Sequence, residues 1–172
     1  SFDFKYYKDM YIVKTNLNGG VVFQKTYGGN FLEKGMDIVG KGNGDGYIVL
    51  GQQCKHRYDV HSCGPITKVM ILDIDENGNE LDQTFLGGLK FYEFGTPMSL
   101  ANTSNDGYVF ATNPRNGGNV WLYKWGDSED NLNLKINPGG FGGESIEKTL
   151  DNGFIISTGG GTVLKTDSQL SY

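Results

Sequence analysis

The loop 54-CKHRYDVHSC-63 brings two cysteines and two histidines into ten residues. Structural zinc sites use these ligand types, but they separate paired ligands by at least two residues. Here Cys54 and His56 are separated by one residue, as are His61 and Cys63. Both cysteines of the chain lie in this loop, so a Cys54–Cys63 disulfide is the alternative. We predict the disulfide, with no metal or cofactor bound.

The segment 73-DIDENGNE-80 is similar to the beginning of a calcium-binding loop, because Asp73, Asp75 and Asn77 alternate along it. A calcium loop also needs a bidentate glutamate at its twelfth position. That position is Thr84. A hairpin turn accounts for the same residues without an ion, so the sequence favours a turn and leaves calcium as a weak alternative.

No set of residues in the sequence matches a catalytic arrangement. Both histidines lie in the cysteine loop, and no nucleophile can be paired with them from sequence order. Three carboxylates, Asp37, Glu93 and Glu144, lie near predicted first strands and leave glycoside hydrolysis by paired acids open. Solvated or turn carboxylates are the commoner explanation. We therefore predict a protein without catalytic residues.

Two weaker kinds of candidate site remain. Asn102 begins the N-glycosylation sequon Asn-Thr-Ser. Tyr58 and Trp125 lie in or beside predicted loops, where binding residues concentrate. With Arg57 and His61 they form a candidate partner-binding set. Local packing is the alternative for each aromatic side chain.

The composition of the chain excludes two classes of partner. The net charge is −5 and no run of Lys or Arg exceeds two residues, whereas nucleic-acid-binding proteins present a basic patch. No apolar run approaches the roughly 18 residues that a membrane-spanning helix needs. We predict neither nucleic-acid binding nor membrane insertion. Glycine supplies 27 of the 172 residues, roughly twice its average share of about 7%, which indicates many turns.

One short phrase occurs three times in the chain, as 45-DGYIVLG-51, 106-DGYVFAT-112 and 152-NGFIIST-158. A Gly-Gly doublet recurs in step with it, at 28–29, 87–88 and 139–140. These markers define a repeat of roughly 46 to 60 residues. Asp-Gly and Asn-Gly between apolar runs are strong hairpin signals, so each repeat is predicted to be a group of antiparallel strands.

Four strands are predicted in each complete repeat. They cover residues 36–41, 47–52, 69–74 and 80–86 in one repeat, and 97–102, 107–112, 119–125 and 132–137 in the next. The third strands have apolar residues on both faces, as in 120-VWLYKW-125. Both faces of each sheet must then be covered. Such sheets stacked around an axis form a β-propeller, and a two-sheet sandwich is the alternative.

The segments 11-YIVKTNLNGGVVFQKTYGG-29 and 71-ILDIDENGNELDQTFLGG-88 resemble a repeat of secreted and surface β-propellers of bacteria, notably Bacteroidetes-like ones. That repeat runs Asp-Gly-Gly-Tyr-Ile, then Tyr-Leu-Ile-Lys-x-Asp-x-Asn-Gly, then Trp-x-Lys-x-Tyr-Gly-Gly. The chain departs from it at Gly46, where one glycine replaces two, and at Phe23, which stands near the tryptophan position. The resemblance implies the fold, and such propellers serve many functions.

The repeat divides the chain into a partial blade at 1–29, blades at 30–88 and 89–140, and a partial blade at 141–172. A third strand is expected in both partial blades, so they do not add up to one. This predicts either a segment of a longer propeller or subunits that complete each other. We expect an extracellular or cell-surface scaffold that binds a protein or glycan and self-associates. The alternative is part of a carbohydrate-active enzyme.

Overall fold

The computed structural model of this protein describes residues 8–29, 31–54, 67–86, 95–104, 107–113, 120–126, 133–135 and 142–171. Every regular element within these ranges is a β-strand. The strands form four separate antiparallel sheets of two to four strands. The all-β prediction is therefore confirmed, and the described residues do not form a two-sheet sandwich. No helix in these ranges is long and apolar enough to cross a membrane.

The sheets follow one another along the chain, and each contains strands that are consecutive in sequence. The first sheet contains β1 (Met10–Thr15) and β2 (Val21–Tyr27). The second contains β3 (Leu32–Gly40), β4 (Tyr47–Cys54), β5 (Thr67–Ile74) and β6 (Glu80–Leu86). The third contains β7 (Thr96–Asn102), β8 (Tyr108–Asn113), β9 (Trp121–Trp125) and β10 (Asn133–Lys135). The fourth contains β11 (Gly143–Lys148), β12 (Phe154–Thr158) and β13 (Val163–Thr166).

Most described strands begin and end within two residues of their predicted bounds, and β3 departs from its prediction the most. The predicted strand 36–41 begins earlier, at Leu32, because its first residues pair with the end of β4 up to Cys54. Of the predicted strand 132–137 the structure describes only Asn133–Lys135, which form β10. The early start of β3 brings into the sheet residues that the sequence pattern left in a loop.

Three apolar layers fill the spaces between neighbouring sheets. The layer between the first and second sheets contains Met10, Phe23, Tyr27, Val49, Met70, Leu72 and Ile74. The layer between the second and third contains Ile48, Leu50, Val69, Ile71, Leu100, Tyr108, Phe110 and Tyr123. The layer between the third and fourth contains Ala101, Val109, Ala111, Val120, Leu122, Ile146, Phe154, Ile156 and Leu170. The second and third sheets are thus covered on both faces.

Alternation along β4 and β9 supplies side chains to two layers at once, because successive strand residues point to opposite faces. In β4, Ile48 lies in one layer and Val49 in the layer behind it. In β9, Leu122 faces the fourth sheet while Tyr123 stacks on Phe110, with ring centroids 5.1 Å apart. The two-sided burial predicted for the third strands is confirmed here.

The first strands of successive sheets lie side by side, β3 beside β7 and β7 beside β11. Each of these strands carries a β-bulge at the same point of the repeat. The residues that follow the three bulges are Asp37, Ser99 and Ser145. Bulges bend a strand and redirect its side chains. Each of the three bulges therefore redirects the side chain at the same position of its repeat.

Hydrogen bonds join the bulged strands, and we name this set of bonds the inter-sheet latch. Asp37 Oδ2 accepts hydrogen bonds from Ser99 Oγ at 2.9 Å and from the backbone N–H of Leu100 at 2.8 Å. Ser99 Oγ accepts one in turn from the backbone N–H of Ile146 at 3.2 Å. The residue after one bulge therefore satisfies a backbone donor of the next sheet.

The glycine of the recurring turn is required by a close approach to the third strand. A Cβ at Gly46 would lie 2.0 Å from the carbonyl oxygen of Ile74. A Cβ at Gly153 would lie 2.1 Å from the carbonyl oxygen of Thr166. Gly46 also has a φ of 136°. The close approach is shared by Gly46 and Gly153, and it explains why glycine recurs at this position of the repeat.

Candidate functional site

A cleft of about 330 Å³ opens between β1 and β3. A hydrogen bond from the Glu33 N–H to the Lys8 carbonyl, 2.9 Å long, holds the two chain segments together at its edge. The cleft is lined by Lys8, Asp9, Met10, Tyr11, Leu32, Glu33, Lys34 and Gly35. This volume suits a small ligand, because such sites begin near about 300 Å³.

Glu33 is the buried acid of the cleft, with 2% of its surface exposed. Gln53 Nε2 donates a hydrogen bond to Glu33 Oε1 at 3.0 Å. The Gly29 N–H makes a longer one to Oε2, at 3.4 Å. Burial raises the pKa of the Glu33 carboxyl, and the nearby Asp9 carboxylate raises it further against the lowering effect of these two bonds. Glu33 therefore holds a proton more readily than an exposed glutamate.

Asp9 faces Glu33 across Gly28. A Cβ at Gly28 would lie 2.6 Å from Asp9 Oδ1 and 2.8 Å from Glu33 Oε2. The two carboxylates thus occupy the space that any other residue at position 28 would need. Asp9 is exposed while Glu33 is buried, so two acids of different environment share one small space.

These groups can recognise a polyhydroxylated ligand. Carboxylate oxygens accept hydrogen bonds from hydroxyl groups, and a lysine ammonium such as that of Lys34 can donate to them. Tyr11, which is 58% exposed, also lines the cleft, and its hydroxyl donates a 2.9 Å hydrogen bond to Gln24 Oε1 on β2. A carboxyl group of raised pKa beside a second carboxyl group in a different environment is also a pattern found in enzymes that use acid catalysis.

Most of the cysteine loop falls outside the described residues. His56, Arg57, Tyr58, His61 and Cys63 all lie there, so the partner-binding and zinc interpretations stay untested. Cys54 ends β4 with its side chain fully buried. Gln52 Nε2 donates a hydrogen bond to Cys54 Sγ at 3.1 Å. The predicted Cys54–Cys63 disulfide stays a prediction.

The three calcium candidates make other contacts. Asp73 forms an ion pair with Lys41. Asp75 Oδ1 accepts the backbone N–H groups of Asn77 and Asn79, at 2.8 and 2.7 Å. The Asn79 side chain and these N–H groups lower the pKa of Asp75. Asn77 thus enters the turn through its backbone.

The same turn occurs twice more, once between β1 and β2 and once directly after β13. Asn16 Oδ1 accepts the N–H groups of Asn18 and Gly20, and Asp167 Oδ1 accepts those of Gln169 and Ser171. The first position of this turn is an asparagine in one copy and an aspartate in the other two. The repeated feature is therefore a hydrogen-bonded turn. Among the described residues no group of three or more His, Cys, Asp or Glu side chains could hold a metal ion.

Two other candidates have structural contacts. Asn102 Nδ2 donates a 2.8 Å hydrogen bond to the Gly40 carbonyl, so this side chain contributes to the contact between the second and third sheets. Trp125 packs on Tyr108, with ring centroids 5.7 Å apart, and belongs to the layer between the second and third sheets. Packing accounts for the position of Trp125.

The three acids proposed from sequence for glycoside hydrolysis do not come together among the described residues. Asp37 belongs to the inter-sheet latch. Glu144 lies exposed at the bulge of β11, and Glu93 falls outside the described residues. Sequence analysis instead missed Glu33, because the predicted first strand began at position 36. The only signal of Glu33 in the sequence is its position as an acid soon after the Gly28-Gly29 doublet. That doublet indicates the repeat and not a site.

No protein-family model matches this chain, and no curated protein matches it either.

Proposed function

We propose that the chain is a segment of a β-propeller that acts as a non-catalytic scaffold and binds a glycan in the cleft beside Glu33. The observation that carries the ligand class is the pair of carboxylates, Asp9 and Glu33, on either side of Gly28. Carboxylate pairs bind neighbouring sugar hydroxyls through charge-assisted hydrogen bonds, which are stronger than neutral ones.

The side-by-side first strands support the propeller. In a propeller, four-stranded sheets are arranged radially around a central channel. Here β3, β7 and β11 are successive neighbours, and the latch repeats between them. The sheets also have apolar layers on both sides, as radially packed sheets require.

The small size of the cleft supports a sugar unit over a protein surface. Specific protein interfaces are broad surfaces that bury roughly 800 Å² on each partner, whereas a cleft of about 330 Å³ has the size of a small-molecule site. The polar lining from Asp9, Glu33 and Lys34 suits hydroxyl groups. A protein ligand would have to use another surface of the scaffold.

A glycan-binding screen with the purified chain tests this proposal. We expect binding to at least one neutral oligosaccharide, with the sugar recovered intact. Asp9→Asn should weaken that binding about tenfold, equivalent to about 1.4 kcal/mol, because a neutral amide is a weaker acceptor. Asp45→Asn, which neutralises an exposed aspartate in a turn far along the chain, is the matched control. Equal affinity of the two variants would contradict the assignment of the cleft.

A second candidate function is glycoside hydrolysis, and one observation favours it. Retaining glycosidases hold two carboxyl groups about 5–5.5 Å apart, and Asp9 Oδ1 and Glu33 Oε2 both lie within 2.8 Å of the point that a Cβ at position 28 would occupy, so the two oxygens are no farther apart than that range. The raised pKa of Glu33 suits a general acid. Release of reducing sugar that Glu33→Gln abolishes would establish hydrolysis and overturn the non-catalytic assignment.

We further propose an extracellular or cell-surface location. This proposal rests on the predicted Cys54–Cys63 disulfide, because disulfides persist mainly in oxidising compartments. The buried side chain of Cys54 is compatible with it.

A further inference from the structure

The two carboxyl oxygens of Glu33 have different surroundings in the cleft. Gln53 Nε2 donates a 3.0 Å hydrogen bond to Oε1. Oε2 is the oxygen on the side of Gly28, 2.8 Å from the point that a Cβ at position 28 would occupy. Its contact with the Gly29 N–H is 3.4 Å long, whereas hydrogen bonds from N–H to oxygen usually measure about 2.7–3.2 Å. Oε2 is therefore the oxygen better placed to hold a proton.

The described residues around Glu33 supply no cation that pairs with its carboxylate. The other titratable groups that line the cleft are Lys8, Asp9, Tyr11 and Lys34. Among the described residues, Glu33 forms no ion pair with either lysine. Asp9 Oδ1 lies 2.6 Å from the same point beside Gly28, so a second acid approaches Glu33. A buried charge without an opposite charge is unfavourable, as is a like charge nearby, and a proton on Glu33 removes both costs.

A sugar seated in the cleft increases the preference of Glu33 for a proton. The sugar displaces water from the two acids, and loss of water disfavours the charged form of a carboxyl group. A protonated carboxyl group donates through its O–H, whereas an ionised one only accepts hydrogen bonds. A sugar hydroxyl group can donate and accept at once. Protonated Glu33 beside Asp9 therefore offers a donor as well as acceptors to the same sugar.

We propose that the cleft takes up a proton from solvent together with its glycan, and that Glu33 Oε2 carries this proton. The proposal rests on glycan binding in the cleft, which is the proposed function, and adds regulation by pH to it. Gln53 keeps donating to Oε1 in the bound state, so the proton is confined to the oxygen that faces the space shared with Asp9. The cleft therefore holds its glycan at acidic pH and releases it as the pH rises.

The direction of this pH dependence follows from the state of Glu33 in the free chain. Burial, together with the neighbouring charge of Asp9, raises the pKa of the Glu33 carboxyl group above the ordinary value of 4.5. Below the raised pKa the free chain already holds the proton, so Glu33 makes no change to the affinity there. Above the raised pKa the chain must take up a proton in order to bind. The affinity should then fall by up to about tenfold for each pH unit.

Isothermal titration calorimetry of the full chain tests the proposal. The probe is the neutral oligosaccharide with the highest affinity in the glycan screen, and the pH series begins near 4.5, the ordinary pKa of glutamate. Glu33→Gln carries an amide that can donate a hydrogen bond at every pH. Relative to that variant, the affinity of the parent chain should be constant at the acidic end and fall above the raised pKa. Glu144→Gln removes an exposed carboxylate from β11 and, as the control, should keep the pH dependence of the parent chain.

The number of protons taken up on binding is a second readout. Calorimetry in two buffers of different ionisation enthalpy, at one pH above the raised pKa, measures this number. We expect about one proton for each oligosaccharide bound by the parent chain and none for Glu33→Gln. The ¹³C signal of the Glu33 side-chain carboxyl group should also titrate at a higher pH with the oligosaccharide bound than without it. This last measurement needs no variant.

Three results would overturn the proposal. An affinity that is constant across the pH series, with no proton taken up, would leave glycan binding in place and remove its regulation. An affinity that rises with pH would show that the ionised form of Glu33 is the one that binds. Absence of binding at every pH would overturn the proposed function as well, so the failures of the two proposals can be told apart.

Discussion

Asp37 and Ser99 lie 62 residues apart in sequence, and a 2.9 Å hydrogen bond joins their side chains across two sheets. They occupy the same position of consecutive repeats, directly after a β-bulge. Ser99 in turn accepts a hydrogen bond from the backbone N–H of Ile146, which connects the third sheet to the fourth. The repeat therefore encodes the contact between sheets as well as the sheets themselves.

Removing the Asp37 carboxylate should weaken the contact between the second and third sheets. Asp37→Ala deletes the acceptor of Ser99 Oγ and of the Leu100 N–H. Hydrogen bonds to charged groups contribute about 1.5–3 kcal/mol, so we expect the free energy of unfolding in urea to fall by about that amount.

Asp82→Ala provides the matched control for the latch. Asp82 is exposed, and its carboxylate accepts a hydrogen bond from Thr84, two residues along the same strand. Exposed substitutions of this kind change stability by about 0.5 kcal/mol or less. Equal decreases in the free energy of unfolding for Asp37→Ala and Asp82→Ala would show that the inter-sheet latch does not stabilise the fold.

The recurring glycine should be intolerant to alanine because of the third-strand carbonyl. Gly46→Ala places a Cβ 2.0 Å from Ile74 O, which forces the backbone to move and should cost about 1–3 kcal/mol or more. Gly40→Ala adds a Cβ that meets no atom within 4 Å and is the control. Thermal unfolding of the two variants checks this, and a Gly46→Ala protein as stable as Gly40→Ala would contradict the assigned close approach.

The buried Glu33 should make stability fall as pH rises. Its folded pKa lies above the ordinary value of 4.5, so the folded state binds more protons than the unfolded state between those two values. The buried charge of Glu33 lowers the free energy of unfolding. This effect is absent at pH values below the ordinary pKa and reaches its full size above the raised pKa of the folded state. Glu33→Gln should therefore gain stability relative to the parent chain as pH increases through this window.

Urea unfolding at a series of pH values measures that difference. Glu144→Gln removes an exposed carboxylate and controls for the change of net charge. Parallel stability profiles for Glu33→Gln and Glu144→Gln against pH would contradict the raised pKa of Glu33.

The cysteine loop should contain a disulfide. Oxidation of Cys54 and Cys63 removes two hydrogens, so the intact mass of the native chain should be about 2 Da below that of the reduced chain. The bridge closes a short loop and should stabilise the fold by roughly 2–3 kcal/mol in a chain-entropy estimate. Two thiols that react with iodoacetamide in the native chain would contradict this, and bound zinc in elemental analysis would restore the metal interpretation.

Much of the strand arrangement could be predicted because the repeat encodes it locally. Asp-Gly and Asn-Gly turns give the hairpins, and alternation in β4 and β9 gives the two buried faces of the sheets. The role of Gly46 was only partly accessible, because a close approach to Ile74 depends on a residue far along the chain. Sequence pattern attributes such a glycine to backbone conformation alone.

The cleft could not be predicted, for a related reason. Glu33 and Asp9 are 24 positions apart and belong to different sheets or their flanks, so nothing in their spacing indicates that they meet. Glu33 also lies in the part of β3 that precedes the recognisable apolar pattern. The latch was equally hidden, since Asp37 and Ser99 are different residue types at one repeat position.

The most direct test of the central claim is a ¹H–¹⁵N NMR titration of the chain with an oligosaccharide that binds in the screen. We predict amide shifts concentrated at Gly29, Glu33 and Lys34, with the sugar signals unchanged over days. Shifts confined to other sheets would contradict the cleft as the binding site. New reducing-end sugar signals would contradict a non-catalytic scaffold.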